Sequence, residues 1–92
     1  MIRSFRHKGL KRFAETGDTS KLSVRIVSRV QRVIASLNSA KSPEDMDVPG
    51  WRFHALRGDR AGRYAVDASG NWRVTFGWEG EDAVNVDLDD YH

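Results

Sequence analysis

The segment Trp72-Arg73-Val74-Thr75-Phe76-Gly77-Trp78 decides the fold, because large apolar residues occupy every second position. This alternation is typical of a β-strand with one buried face. It places Trp72 and Phe76 in the core and turns Arg73 and Thr75 towards the opposite face. The strand therefore has one side for packing and one side for polar contacts.

A final strand is predicted from Ala83 to Leu88, where the residues expected to face inward are Val84, Val86 and Leu88. Asn85 and Asp87 then face outward. Tight turns from Ala68 to Asn71 and from Glu79 to Asp82 indicate antiparallel connections between neighbouring strands.

Two further strands are predicted upstream, from Phe53 to Arg57 and from Arg63 to Asp67. The turn between them, Gly58 to Gly62, begins and ends with glycines expected to serve backbone geometry. One question stays open here. Leu56 and His54 are two residues apart, so they would lie on the same side of a regular strand. A buried Leu56 would then draw His54 inward unless a bulge or bend intervenes.

The first half of the chain has mostly helical periodicity. Ile2-Arg3-Ser4-Phe5 predicts a short N-terminal strand, and His7 to Thr16 predicts a helix capped by Gly17. From Ser23 to Ser39 the apolar residues recur at helical spacing, at Val24, Ile26, Val27, Val30, Val33, Ile34 and Leu37. Ser42-Pro43-Glu44-Asp45 predicts a short capped turn.

Together these elements predict a single α+β domain over residues 1–92. An N-terminal strand and two helices precede an antiparallel sheet, and the helices cover one sheet face. The other face is left free, and this is where we expect the functional residues.

The composition fits one small cytoplasmic domain. The 92 residues are 39% hydrophobic and 30% charged, as in a soluble globular protein. The absence of cysteine excludes disulfides, thiolate metal sites and cysteine nucleophiles, and it fits a reducing cytosol. No apolar run approaches the ~18–20 residues that cross a bilayer, and none follows Arg3 and Arg6 as in a secretory signal.

Charge is divided sharply along the chain. From Met1 to Lys41 there are ten Lys and Arg residues and two acids, whereas from Ser42 to His92 there are five Arg residues and eleven acids. Such a division usually means that one surface faces a polyanion. The alternative is a solvated basic face on the helices.

Two segments of the sheet half resemble a known signature. Leu56-Arg57-Gly58-Asp59-Arg60-Ala61-Gly62-Arg63-Tyr64 and Asn71-Trp72-Arg73-Val74-Thr75-Phe76 are similar to the strand–turn–strand pattern of the RelE/ParE toxin superfamily. The start, Ile2-Arg3-Ser4-Phe5 followed by Lys8-Gly9-Leu10, and the terminal Asp90-Tyr91-His92 resemble its HigB branch. The resemblance covers nearly the whole chain and implies a RelE-like fold.

The resemblance implies a toxin of a type II toxin–antitoxin system. Such a toxin would be a ribosome-dependent endoribonuclease that cuts mRNA by attack of a ribose 2′-hydroxyl on the adjacent phosphate, without metal or small-molecule cofactor. It would inhibit growth in the cytoplasm and bind a helix-turn-helix antitoxin of the HigA type. Two alternatives remain: a gyrase inhibitor of the ParE type, and a non-catalytic module that binds the ribosome or RNA.

The resemblance also implies the catalytic residues, which are His54, Arg73, Asp90, Tyr91 and His92. Histidine suits proton transfer because its pKa lies near neutrality. The planar fork of an arginine can contact two phosphate oxygens, and a tyrosine can stack on an unpaired base. His92 as base and His54 as acid is one assignment, and the reverse stays open.

Basic residues outside this group are expected to contact RNA. Arg57 and Arg60 lie around the first turn of the sheet and are candidates for such contacts or for holding the loop. In the helical half, salt-sensitive contacts with ribosomal RNA are expected from Lys8, Lys11, Arg12, Lys21, Arg25, Arg29 and Arg32. His7 is interpreted as a surface residue. No metal site is expected, because there is no histidine-rich cluster and Asp87 to Asp90 lacks a calcium-loop pattern.

Overall fold

A computed structural model describes residues 1–23 and 25–90. The helices are α1 (Lys8–Thr16) and α2 (Val27–Ser39), and the strands are β1 (His54–Ala55), β2 (Arg63–Ser69), β3 (Trp72–Glu79) and β4 (Asp82–Asp90). Short 3-10 turns cover Pro43–Met46 and Gly58–Arg60. The strands form one antiparallel sheet in the order β1-β2-β3-β4. No helix in these ranges is long and apolar enough to cross a membrane.

Both helices pack on one face of this sheet, which confirms the predicted α+β arrangement. Phe76 is fully buried at the centre of the core, and its ring lies 5.7 Å from that of Tyr64 and 6.4 Å from that of Trp78. Trp72 is partly buried against the same core. The helices contribute Leu10, Val30, Val33, Ile34 and Leu37, and the sheet contributes Val66, Val74, Val86 and Leu88. The apolar residues of the helical stripe and those of the alternating strands therefore pack into one core.

The N-terminal segment follows β4 but is not the continuous strand that was predicted. It runs parallel to β4 and forms isolated bridges only at Ile2, opposite Ala83, and at Phe5, opposite Val86. Between these points the backbone of Ser4 accepts from the N–H of Val86 at 3.0 Å. The break in this pairing lies beside the bulge that β4 forms at Asn85.

The helix ends differ slightly from the prediction. His7 is the N-cap of α1, and its Nδ1 accepts from the N–H of Leu10 at 3.0 Å, so the helix begins at Lys8. Gly17 ends α1 with a φ of 79°, as predicted. The second helix begins at Val27 instead of Ser23, because three-residue turns precede it. Val24 lies outside the described residues.

The last strand is longer than predicted and contains a bulge. Asn85 has a φ of 51°, and the register shifts here, so that Thr75 pairs with Asp87 but Gly77 pairs with Val84. The extra residue reverses the side on which preceding side chains lie. The prediction that Val84 faces the helices is therefore wrong: Ala83 belongs to the core, and Val84 lies on the other face.

Candidate active site on the open face

The side of the sheet turned away from the helices, called here the open face, carries three rows of side chains across the strands. The first row consists of Arg63, Gly77 and Val84. The middle row consists of His54, Ala65, Thr75 and Asp87. The third row consists of Asp67, Arg73 and Asp89. Because each strand alternates its side chains, neighbouring rows are about 7 Å apart.

His54 lies on the open face, which answers the question that its parity left open. It pairs with Ala65, whose side is opposite to that of the core residue Val66, and its side chain is exposed. The N–H of Leu56 donates to the carbonyl of Arg63 at 2.8 Å, so Leu56 continues the register of β1 on the same side as His54. Leu56 is half-buried outside the core, and it therefore does not draw His54 inward.

The imidazole ring of His54 is oriented by a backbone contact. Its Nδ1 lies 2.8 Å from the carbonyl oxygen of Arg52. A carbonyl only accepts hydrogen bonds, so Nδ1 carries the hydrogen in this contact. In the neutral ring the free lone pair is then on Nε2, and in the protonated ring Nε2–H is the proton available for transfer.

Arg73 lies on the open face, as the alternation of β3 predicts. Its register partners are both aspartates, Asp67 on β2 and Asp89 on β4. Asp67 also lies 3.5 Å from Nε of Arg52, the residue whose carbonyl orients His54. The carboxylates and the arginines of this region are thus interleaved.

Arg60 reaches across the open face from the connection between β1 and β2. Its Nη2 donates to Oδ2 of Asp89 at 2.6 Å. In the same connection Gly58 and Gly62 have φ angles of 65° and 91°, which confirms their predicted role in backbone geometry. Arg57 precedes this turn and is exposed. The turn therefore presents two arginines to the edge of the face.

Arg63 is an open-face residue that the sequence interpretation missed. Its Nη2 donates to Oγ1 of Thr75 at 3.0 Å and to the carbonyl of Asn85 at 2.9 Å. Burial lowers the pKa of Arg63, and the neighbouring charges of Arg6 and Arg60 lower it further. Strand parity was a usable signal, since Arg63 and Asp67 share one side of β2.

The predicted residues at the end of the chain do not all come together. Asp90 pairs with Trp72, which puts it on the helix side of the sheet, away from Arg73 and Asp89. There it lines a surface hollow together with Arg25. Tyr91 and His92 lie outside the described residues. The catalytic roles of these last three residues stay predictions.

The basic residues of the helical half divide into exposed and structural ones. Lys8, Lys11 and Lys21 line one groove beside α1, together with Arg12, whose guanidinium pairs with Asp18. Arg25 and Arg32 are exposed. His7, interpreted as a surface residue, is half-buried and caps α1.

Arg29 has a structural contact with the sheet. Its guanidinium carbon lies 5.9 Å from the centre of the buried Trp51 ring, and its Nη1 donates to the carbonyl of Asp67 at 3.1 Å. The side chain is half-buried. Arg29 therefore joins α2 to the sheet, and its predicted contact with RNA has no direct support in this geometry.

Within residues 1–23 and 25–90, no group of three or more His, Asp or Glu side chains is placed to hold a metal ion. The chemistry available on the open face is that of an oriented histidine, several arginines and three aspartates. Such a set can transfer protons and bind the oxygens of a phosphate.

The fold and the open face thus define a small α+β domain with an arginine-rich sheet surface. A family model described as the RelE-like toxin of type II toxin–antitoxin system HigB matches residues 3–92. The chain is also 35% identical over 92 residues, the full length of both proteins, to the endoribonuclease HigB of Proteus vulgaris. The protein belongs to the HigB-like toxin family and is a toxin of a type II toxin–antitoxin system.

Proposed function

We propose that this toxin is an endoribonuclease that cuts mRNA on the ribosome, with the open face as its active site. The observation that supports this most is the oriented, exposed His54 on a face rich in arginines. The similarity to an enzyme named endoribonuclease HigB supports the same activity. Ribosome dependence comes from the resemblance noted in the sequence and needs its own test.

The proposed reaction is a phosphoryl transfer within the RNA strand. A base takes the proton of the ribose 2′-hydroxyl, whose oxygen forms a bond to the adjacent phosphorus. The bond to the 5′-oxygen of the next nucleotide breaks, and an acid protonates that oxygen. The products are a 2′,3′-cyclic phosphate and a 5′-hydroxyl, so no water or oxidant is consumed in the cut.

His54 would perform one of the two proton transfers through Nε2, because Nδ1 is engaged with the carbonyl of Arg52. Arg73 would contact the non-bridging oxygens and stabilise the charge that develops on the phosphorane. Tyr91 and His92 remain the proposed sources of the second proton transfer and of a stacking contact with a base, whereas Asp90 lies on the helix side of the sheet and is given no step at this phosphate.

The remaining basic residues would bind the toxin to mRNA and to ribosomal RNA. Arg57 and Arg60, at the edge of the open face, are proposed to contact the mRNA. The exposed residues Lys8, Lys11 and Arg25 are proposed to contact ribosomal RNA, and their charges would make binding sensitive to salt. A type II toxin implies an antitoxin partner, which we propose to be of the HigA helix-turn-helix type, and we expect both proteins to act in the cytoplasm.

The test is a brief induction of the toxin in growing cells, followed by mapping of mRNA 5′ ends. The wild-type protein is compared with His54→Ala and with Lys41→Ala, which changes an exposed residue after α2 instead. We expect cuts in translated regions, in phase with codons, with 5′-hydroxyl ends that need a kinase before ligation. His54→Ala should reduce cutting about 100-fold or more, whereas Lys41→Ala should cut normally.

Other outcomes would contradict the proposal in distinct ways. Loss of DNA supercoiling with intact mRNA would indicate a gyrase inhibitor. Arrested translation without new 5′ ends would indicate a module that only occupies the ribosome. Cuts that persist at the wild-type rate in His54→Ala would show that His54 does not transfer a proton in the reaction.

A further inference from the structure

The side chain of Arg63 is half-exposed, yet two hydrogen bonds hold its guanidinium in place. One nitrogen of its guanidinium, Nη2, donates to Oγ1 of the buried Thr75 and to the carbonyl of Asn85. Opposite Arg63 on β3 is Gly77, where a β-carbon would lie 3.7 Å from Nη1 and 3.3 Å from a methyl group of Val84. A β-carbon at this position would therefore be in ordinary contact with the guanidinium and in tight contact with Val84.

The bulge in β4 supplies one of the two acceptors. Asn85 adopts a left-handed conformation with a φ of 51°, which asparagine tolerates better than most residues. Its N–H donates to Oγ of Ser4 at 2.8 Å, so the N-terminal segment holds the bulge. The irregular backbone at this point therefore serves to direct a carbonyl at Arg63.

The position of Arg63 is related to that of Arg73. The two arginines lie in the first and third rows of the open face, and the row of His54 lies between them, about 7 Å from each. An RNA strand that follows the direction of β2 and β3 would meet Arg63, the middle row and Arg73 in succession.

Charges of both signs act on Arg63. Arg6 and Arg60 lower its pKa, and the smaller effects of Asp87 and Asp89 raise it. Its Nε is buried and has no hydrogen-bond partner among the described residues, so it is closed to a ligand. A bound anion would offset the repulsion from the two arginines and would accept from Nη1.

We propose that Arg63 binds an RNA phosphate next to the scissile one, across the row of His54 from Arg73, and that Thr75 and the carbonyl of Asn85 position its guanidinium. This inference rests on the proposed function of the open face. It adds a contact that directs the path of the strand along the sheet.

The experiment compares wild-type protein with Arg63→Met and with Lys41→Met, which removes one positive charge at an exposed position after α2. Cleavage is measured on programmed ribosomes in single turnover at increasing toxin concentrations. For Arg63→Met we expect the half-saturating concentration to rise about tenfold or more, with a smaller change in the maximal rate. Lys41→Met should stay within about twofold of the wild type.

A second measurement distinguishes binding from a structural role. The probe is a single-stranded 2′-O-methyl oligoribonucleotide, which cannot be cut and is titrated at several salt concentrations. Loss of one phosphate contact should reduce the slope of log K against log salt by about 0.7. A residue that only ties β2 to the bulge would lower the midpoint of unfolding and leave this slope unchanged.

The outcomes separate the two proposals. Wild-type protein that makes no cuts would overturn the nuclease, while the salt slope would still decide the role of Arg63. An unchanged slope in Arg63→Met, or wild-type protein that does not bind the probe, would overturn the phosphate contact. If Arg63→Met does not fold, Arg63→Lys decides: lysine keeps the charge but cannot span Thr75, Asn85 and a phosphate, so wild-type affinity would contradict the proposal.

Discussion

The helix-covered face and the open face of the sheet are formed by alternate residues of the same strands, yet their side chains are held differently. On the covered face, Val74 and Phe76 lose all contact with solvent in a core to which both helices contribute. On the open face, Arg60, Arg63 and Asp89 remain half-exposed and are held by individual polar contacts. The covered face stabilises the fold, and the open face carries the side chains of the proposed active site.

This difference has a physical reason. Burial of apolar surface stabilises a fold without regard to direction, whereas polar contacts near water contribute little net free energy but define precise positions. Ala65 and Val84 are also buried on the open face, and Thr75 is a polar residue that is completely buried there. Its hydroxyl accepts from Arg63, so even this buried group serves to position a charge.

The largest expected effect tests the comparison directly. Phe76→Ala would leave a cavity under both helices and should lower the free energy of unfolding by about 3–5 kcal/mol. Thr75→Val, the adjacent residue on the other face, keeps the shape and removes one hydrogen bond, so about 1 kcal/mol is expected. Unfolding in urea measures both. Equal losses would show that the two faces contribute similarly and would contradict the comparison.

The covered face could be predicted almost entirely from the sequence. Alternation from Trp72 to Trp78 and the helical stripe that includes Val30 and Leu37 both depend on local spacing, which the folded chain preserves. The same spacing placed Arg73 on the open face. Prediction worked wherever regular backbone geometry linked one residue to the next.

The open face was harder to predict because its contacts join distant parts of the chain. The face on which Val84 lies depends on the bulge at Asn85. That bulge is held by a hydrogen bond to Ser4, about eighty residues earlier in the chain. Arg63 was missed for the same reason, since its acceptors lie on β3 and β4. Arg29 was interpreted as a docking residue because its contact with Trp51 has no local signal.

A smaller effect is expected for the ion pair between Arg60 and Asp89. Its side chains are 39% and 25% exposed, so solvent screens it only in part. A double-mutant cycle with Arg60→Ala and Asp89→Asn should give a coupling of about 0.5–1 kcal/mol in the free energy of unfolding. The matched pair Arg3 and Glu79 is 53% and 64% exposed, and its coupling should be smaller. A reversed order would show that the open face does not shield its charges.

The smallest effect concerns Asp18, a half-exposed residue outside both faces. The N–H of Ser20 and the guanidinium of Arg12 hold the pKa of Asp18 at about 2, below its ordinary value of 3.8. A carboxylate with a lowered pKa in the folded state stabilises the protein above its unfolded pKa, and this contribution is lost as the pH falls through the folded one. Asp18→Asn should therefore be slightly less stable than wild type near pH 7.

The pH dependence of that difference is the measurement. The gap between the urea midpoints of wild type and Asp18→Asn should stay constant from pH 7 to about 5, narrow between about 4 and 2, and then vanish. Glu15→Gln, which neutralises an exposed acid near the end of α1, controls for the change in net charge. A gap that widens below pH 4, or one equal to that of the control at every pH, would show that Asp18 is not held as its contacts indicate. The outcome also sets a scale for polar contacts outside the sheet, against which those of the open face can be judged.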